Sequence, residues 1–145
     1  MKISSPAFKN GGVIPFKYSC EGDNVNPEID MEEIPEKAQS LALIIDDPDA
    51  PSGVWTHWIL YNIPADIKKI EENSVPGKQG ISTSKQKEYI GPCPPGNETH
   101  RYFFRLYALD TIIEESDGLT REQIDRKIMG HVISTAEMMG YYSRK

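Results

Sequence analysis

Two short stretches concentrate the side chains able to do chemistry. The first is Asp46-Asp47-Pro48-Asp49-Ala50-Pro51, followed by Trp55-Thr56-His57-Trp58; the second is Gly91-Pro92-Cys93-Pro94-Pro95, followed by His100-Arg101-Tyr102. Three chemistries are open to such a set. Asp47, Asp49, His57 and His100 are hard or borderline ligands, as a metal-dependent phosphoester hydrolase would use, although no HxH, HExxH or close His-carboxylate pair is present. Cys93 beside His57 or His100 would make a thiol nucleophile if its pKa were lowered. Two imidazoles and the Tyr102 phenol would instead serve a binding pocket as hydrogen-bond donors. His100 and Tyr102, two apart on an extended chain, project from the same face. Taken singly, the aspartates are explained as Asx turns before proline and the histidines as satisfied core residues. No GxSxG elbow, GxxxxGK[ST] loop or GxGxxG turn supports serine hydrolysis or nucleotide use.

The elements that must position these residues read as short strands. Phe16 to Cys20, Leu41 to Ile45, Trp55 to Ile63 and Tyr102 to Leu109 are rich in aromatic and branched residues and bounded by turn formers. In Trp55 to Ile63 both alternating sets are largely apolar, which predicts a central strand covered on both faces. Helical signals are confined to the C-terminal part. Thr120 and Gln123 have the spacing of a capping box, and Leu119 and Ile124 that of a hydrophobic staple. Ile124, Ile128, Val132, Ala136 and Met139 then recur every three or four residues up to Gly140, predicting one helix, or two divided at Gly130, with His131 on it. The polar Glu71 to Lys87 stretch reads as a long surface loop.

With 145 residues, the chain suits one domain spanning 1–145. Its net charge of -6 repels a phosphate backbone and argues against nucleic acid as a partner. The longest apolar run, Leu41 to Ile45, is far too short to span a bilayer, and the opening residues lack the apolar stretch of a secretory signal. A cytoplasmic location follows as the expectation, with Cys20 and Cys93 kept as thiols in a reducing compartment. Asn97-Glu98-Thr99 then reads as a polar turn rather than a glycosylation site.

The paired signatures, DDPDAP then WTHW and GPCPP then HRYFF, resemble the phosphatidylethanolamine-binding protein family, and more narrowly its short prokaryotic Raf kinase inhibitor-like branch. Asn26-Pro27-Glu28 and the closing GHVISTAEMMGYYSRK extend the likeness over most of the chain. The resemblance implies a mainly β protein: a Greek-key two-sheet β-sandwich, a large antiparallel sheet packed on a smaller one, with one or two peripheral α-helices near the C-terminus. It implies a non-enzymatic binder without a cofactor, whose pocket for phosphate or a phosphorylated headgroup is formed by Asp47, Asp49, His57, Cys93, His100 and Tyr102. Cys93 stands where the family has a glycine. Its neighbours Pro92, Pro94 and Pro95 have no N–H, so it supplies the one amide of that cluster. Such donors favour an anion, and Asp47 would then serve by accepting a hydrogen bond from a histidine. The relatives further suggest a kinase or protease as the partner to be modulated, cis bonds at Ala50-Pro51 and Gly53-Val54, and a homodimer covering the pocket mouth that a C-terminal helix covers in mammalian members.

Overall fold

The computed structural model describes residues 1–145. Its strands are β1 Lys2–Ser4, β2 Gly12–Val13, β3 Ile29–Glu32, β4 Ser40–Asp47, β5 Trp55–Pro64, β6 Lys69–Ile70, β7 Lys78–Gln79, β8 Thr99–Leu109 and β9 Val132–Ser143, with the one α-helix, α1, at Arg121–Ile128. They form a three-stranded sheet ordered β1-β3-β6 and a six-stranded sheet ordered β2-β9-β8-β4-β5-β7. The fold is therefore mainly β with two sheets. The large sheet is not wholly antiparallel, because β2 runs parallel to β9 where Gly12 meets Gly140.

Strand alternation explains how the large sheet is covered. Leu41, Leu43 and Ile45 of β4 share one buried cluster with Ile29 and Met31 of β3 and Ile70 of β6, so one face packs on the small sheet. Ala42 and Ile44 point the other way, into a second cluster with Leu119, Ile124 and Ile128 around α1. Because β5 lies between β4 and β7 under both covers, its two alternating sets are both apolar, as its sequence requires. The β4, β5 and β8 segments were all legible as strands.

Three segments differ from the sequence expectation. Within Glu71 to Lys87, read as a surface loop, Lys78–Gln79 pairs with β5 as β7, and Gly80 and Ser82 are buried. Phe16 to Tyr18 is a 3-10 turn rather than a strand: Pro15 presets the backbone (φ -60), and Ser19 closes the turn with backbone and hydroxyl hydrogen bonds to the Phe16 carbonyl. The expected C-terminal helix stops at Ile128, and Val132–Ser143 is a strand, so His131 sits in the turn between them. Gly130 (φ +82) reverses the chain there, after which β9 pairs along β8 from Thr99↔Ser143 to Leu109↔Val132. Burial at Met138, Gly140 and Tyr142 has the period of a strand. Gly140 is no helix cap: a Cβ there would meet the Ile14 and Phe8 side chains at 2.6 and 2.7 Å. The helix start is as expected, with the Thr120/Gln123 capping box formed and Leu119 buried beside Ile124.

Cys20 and Cys93 are joined in a disulfide, which corrects the expectation of two free thiols. Such a bond belongs to oxidising compartments in most organisms, so the thiol-based argument for a cytoplasmic location falls away. Every peptide bond is trans, including Ala50-Pro51 and Gly53-Val54. Gly53 makes the turn with φ +112 instead. No helix is long and apolar enough to cross a membrane.

Candidate functional site

β4, β5 and β8 deliver their polar residues to one end of the large sheet, where a cleft of ≈ 240 Å³ opens. Asp47, Trp55, His57, Ile90, Cys93, His100 and Tyr102 are among its walls. A β-bulge places His57. Along β4 the partners jump from Ile45↔Trp58 to Asp46↔Thr56, so His57 is an extra residue on β5. In regular alternation it would face away from Trp58. The bulge turns it to the same face, where its ring meets Tyr102 edge-on at 5.3 Å between centroids.

Hydrogen bonds then fix the state of each ring. His57 Nδ1–H donates to the Ile90 carbonyl at 2.7 Å, which makes Nδ1 the protonated nitrogen and leaves Nε2 as the free lone pair. Burial is the main influence on His57 and pushes its pKa below the ordinary 6.5, so it is neutral at pH 7. His100 is the opposite case. Its Nδ1 lies 2.6 Å from Asp47 Oδ2 and its Nε2 lies 2.7 Å from Glu98 Oε1. Burial opposes the charged form, but the two carboxylates outweigh it and raise the His100 pKa. With a carboxylate on each nitrogen, the contacts favour the imidazolium, in which both nitrogens donate. Asp47 thus lies within hydrogen-bonding distance of a histidine, His100.

Tyr102 is 1% exposed, and its hydroxyl is the one buried side-chain polar atom without a hydrogen-bond partner. Burial, then the Asp47 charge, push its pKa well above the usual phenol value, so it remains a neutral donor. The Cys93 amide donates to no backbone carbonyl and faces the Tyr102 hydroxyl, whose pKa it pulls down against the burial effect. The cleft therefore offers two neighbouring donors, the Tyr102 hydroxyl and the Cys93 amide, beside a neutral His57 and a His100 held between carboxylates.

Asp49 is not brought into the cleft. Its carboxylate takes two bonds from the Arg101 guanidinium at 2.9 and 2.8 Å and one from the Arg101 amide at 2.9 Å, which hold its pKa at about 2. It ties the Asp47–Pro51 turn to β8. No group of three or more His, Cys, Asp or Glu side chains is arranged to hold a metal ion. Sequence reading missed Glu98, which passed for part of a polar turn; its position two residues before His100 on extended chain was the available signal. It also missed Asp46, which β-alternation sends to the opposite face, where Arg121 Nη1 meets both carboxylate oxygens at 2.7 Å.

Comparison with known proteins agrees with this architecture. The family model for phosphatidylethanolamine-binding protein matches residues 4–143. A UPF0098 protein of Methanothermobacter thermautotrophicus is 45% identical, with 99% of each chain covered. Among solved structures, a phosphatidylethanolamine-binding protein homologue from Chlamydia trachomatis superposes with a TM-score of 0.95 at 39% identity, covering 99% of this chain and 97% of the other. YbcL of E. coli, described as a member of the mammalian family, gives 0.90 at 27% identity, covering 99% and 98%. The chain belongs to the phosphatidylethanolamine-binding protein family.

Proposed function

We propose that the cleft binds a small oxyanion, either phosphate or the phosphorylated headgroup of a larger molecule, and that the protein acts by binding rather than turnover. The observation that carries this is the Tyr102 hydroxyl, buried without a partner in the wall of the cleft. An unsatisfied buried donor costs about 1–3 kcal/mol, and a bound oxygen acceptor would recover it. The Cys93 amide adds a second donor that no neighbouring proline can replace. At ≈ 240 Å³ the space is below the ~300–1,000 Å³ typical of drug-sized ligands, which suits a phosphate-sized group.

Only His57 presents a free nucleophilic nitrogen, and the Asp47 carboxylate in the same cleft is already engaged by His100 and the Asp49 amide, which supports a binder over a hydrolase. Within the same reading, the two sheets form the Greek-key sandwich, occupancy of the cleft alters contact with a kinase or protease, and a second copy covers the cleft mouth. The test is calorimetric titration of inorganic phosphate and phosphoethanolamine into wild type and Tyr102→Phe. Binding by wild type that weakens about tenfold in Tyr102→Phe is expected, the value of roughly one charge-assisted hydrogen bond. Equal affinity in the two proteins rejects the proposal.

A further inference from the structure

His100 lines the cleft, yet neither of its nitrogens is free. The two carboxylates that hold it are unlike. Asp47 is buried and also accepts the Asp49 amide at 2.8 Å, so it is fixed from two sides. Glu98 belongs to the tight turn after the proline cluster, where its amide donates to the Pro95 carbonyl, and its side chain is 53% exposed against 3% for His100. A buried cation thus has one permanent counter-ion and one that solvent can lift away.

We propose that Glu98 is a resident competitor for the anion seat: its carboxylate occupies the one His100 donor that a ligand could use, and an oxyanion binds by displacing it. This rests on the oxyanion reading of the cleft and sets its selectivity. A tethered carboxylate competes at an effective concentration of about millimolar. A free carboxylate ligand replaces it like for like and gains little. A phosphate dianion brings a second charge and further oxygens for the Tyr102 hydroxyl and the Cys93 amide, so it can win the exchange. The class favoured is therefore inorganic phosphate or a phosphomonoester over carboxylates. The groups around the exchange are Asp47, which keeps a proton on Nδ1, the neutral His57, and Tyr102 stacked on His100 at 6.5 Å.

The test is calorimetric titration of inorganic phosphate and of acetate into wild type, Glu98→Gln and Glu98→Ala. The titrations are run near pH 7, where a substantial share of phosphate is the dianion and the Asp47 contact still favours the charged His100 ring. Because Glu98 is exposed and in a turn, both variants should fold as wild type does. Phosphate is expected to bind about tenfold more tightly to Glu98→Ala, with Glu98→Gln between the two because its amide oxygen is a weaker competitor. Acetate should gain measurable binding in the variants alone. Wild-type phosphate affinity that is unchanged or reduced in both variants overturns the role of Glu98 and leaves the oxyanion reading standing. No phosphate binding by any of the three proteins overturns both.

Discussion

At the residue scale the site rests on two histidines driven to opposite charge states by their surroundings. His57 is buried with one carbonyl partner, and His100 is clamped between carboxylates. Nuclear magnetic resonance titration of the ring protons should find His100 titrating above, and His57 below, the ordinary value of 6.5. The two affect stability with opposite sign. His100, with a raised folded pKa, stabilises fully below its unfolded value and loses that contribution as pH rises through the folded one. His57, with a lowered folded pKa, stabilises above its unfolded value and loses that contribution as pH falls through the folded one. Titration of both rings at the ordinary value would show that neither environment persists in solution.

Tyr102 separates function from stability in one substitution. Its hydroxyl has no partner in the fold, so Tyr102→Phe removes an unsatisfied group and should leave the unfolding free energy unchanged or raise it by up to about 1–3 kcal/mol. The same change is the one expected to weaken phosphate binding, and urea unfolding beside the titration reads both. A loss of stability matching the loss of affinity would mean the hydroxyl is structural. Most of the chemistry-bearing residues were legible in sequence because two dense signatures hold them. What could not be read was which carboxylate meets which cation. Asp47, Asp49 and Glu98 look alike in the chain, and only the sheet register sends Asp49 to Arg101 and Glu98 to His100.

At the scale of elements, the strands were legible where β-rich apolar runs are long, and the C-terminal failure came where two periods coincide. Val132, Ala136 and Met139 fit a helix by spacing, but β8 offers eleven residues of edge that only a long strand can pair, and that pairing prevails over local periodicity. The His57 bulge was invisible for a similar reason: it is a mismatch of register between strands, not a property of either strand. Behind the site, α1 is fastened to the sheet through Arg121 and the buried Asp46, the residue before Asp47. Replacing Arg121 by Met would strand that carboxylate with Thr56 Oγ1 at 2.8 Å and Arg105 at 3.5 Å as its side-chain partners. A loss of about 3 kcal/mol is expected, the low end for breaking a buried ion pair, measured by urea unfolding. A loss well under 1 kcal/mol would show that solvent reaches Asp46.

At the scale of the whole molecule, the Cys20–Cys93 bond joins the turn after the 3-10 element to the proline cluster across 73 residues of chain. Loop-closure entropy gives such a crosslink about 4 kcal/mol as an upper figure, and typical values are about 2–4 kcal/mol. Its place at the cleft suggests that it also shapes the site, but the same junction is held by other means. Tyr89 Oη–H donates to the Tyr18 carbonyl at 2.7 Å, the Gly91 amide to Asn24 Oδ1 at 2.7 Å, and the Cys20 amide to the Pro92 carbonyl at 3.1 Å. Gly91 lies so near the Tyr18 backbone that a Cβ there would come within 2.0 Å of its carbonyl oxygen. These contacts locate the Cys93 amide without the sulfur bond. The double variant Cys20→Ala, Cys93→Ala should therefore lose about 2–4 kcal/mol in urea unfolding while its phosphate affinity, measured below the unfolding transition, stays close to that of wild type. If affinity falls along with stability, the disulfide rather than the hydrogen bonds sets the position of the amide, and the redox state of the compartment would then govern binding.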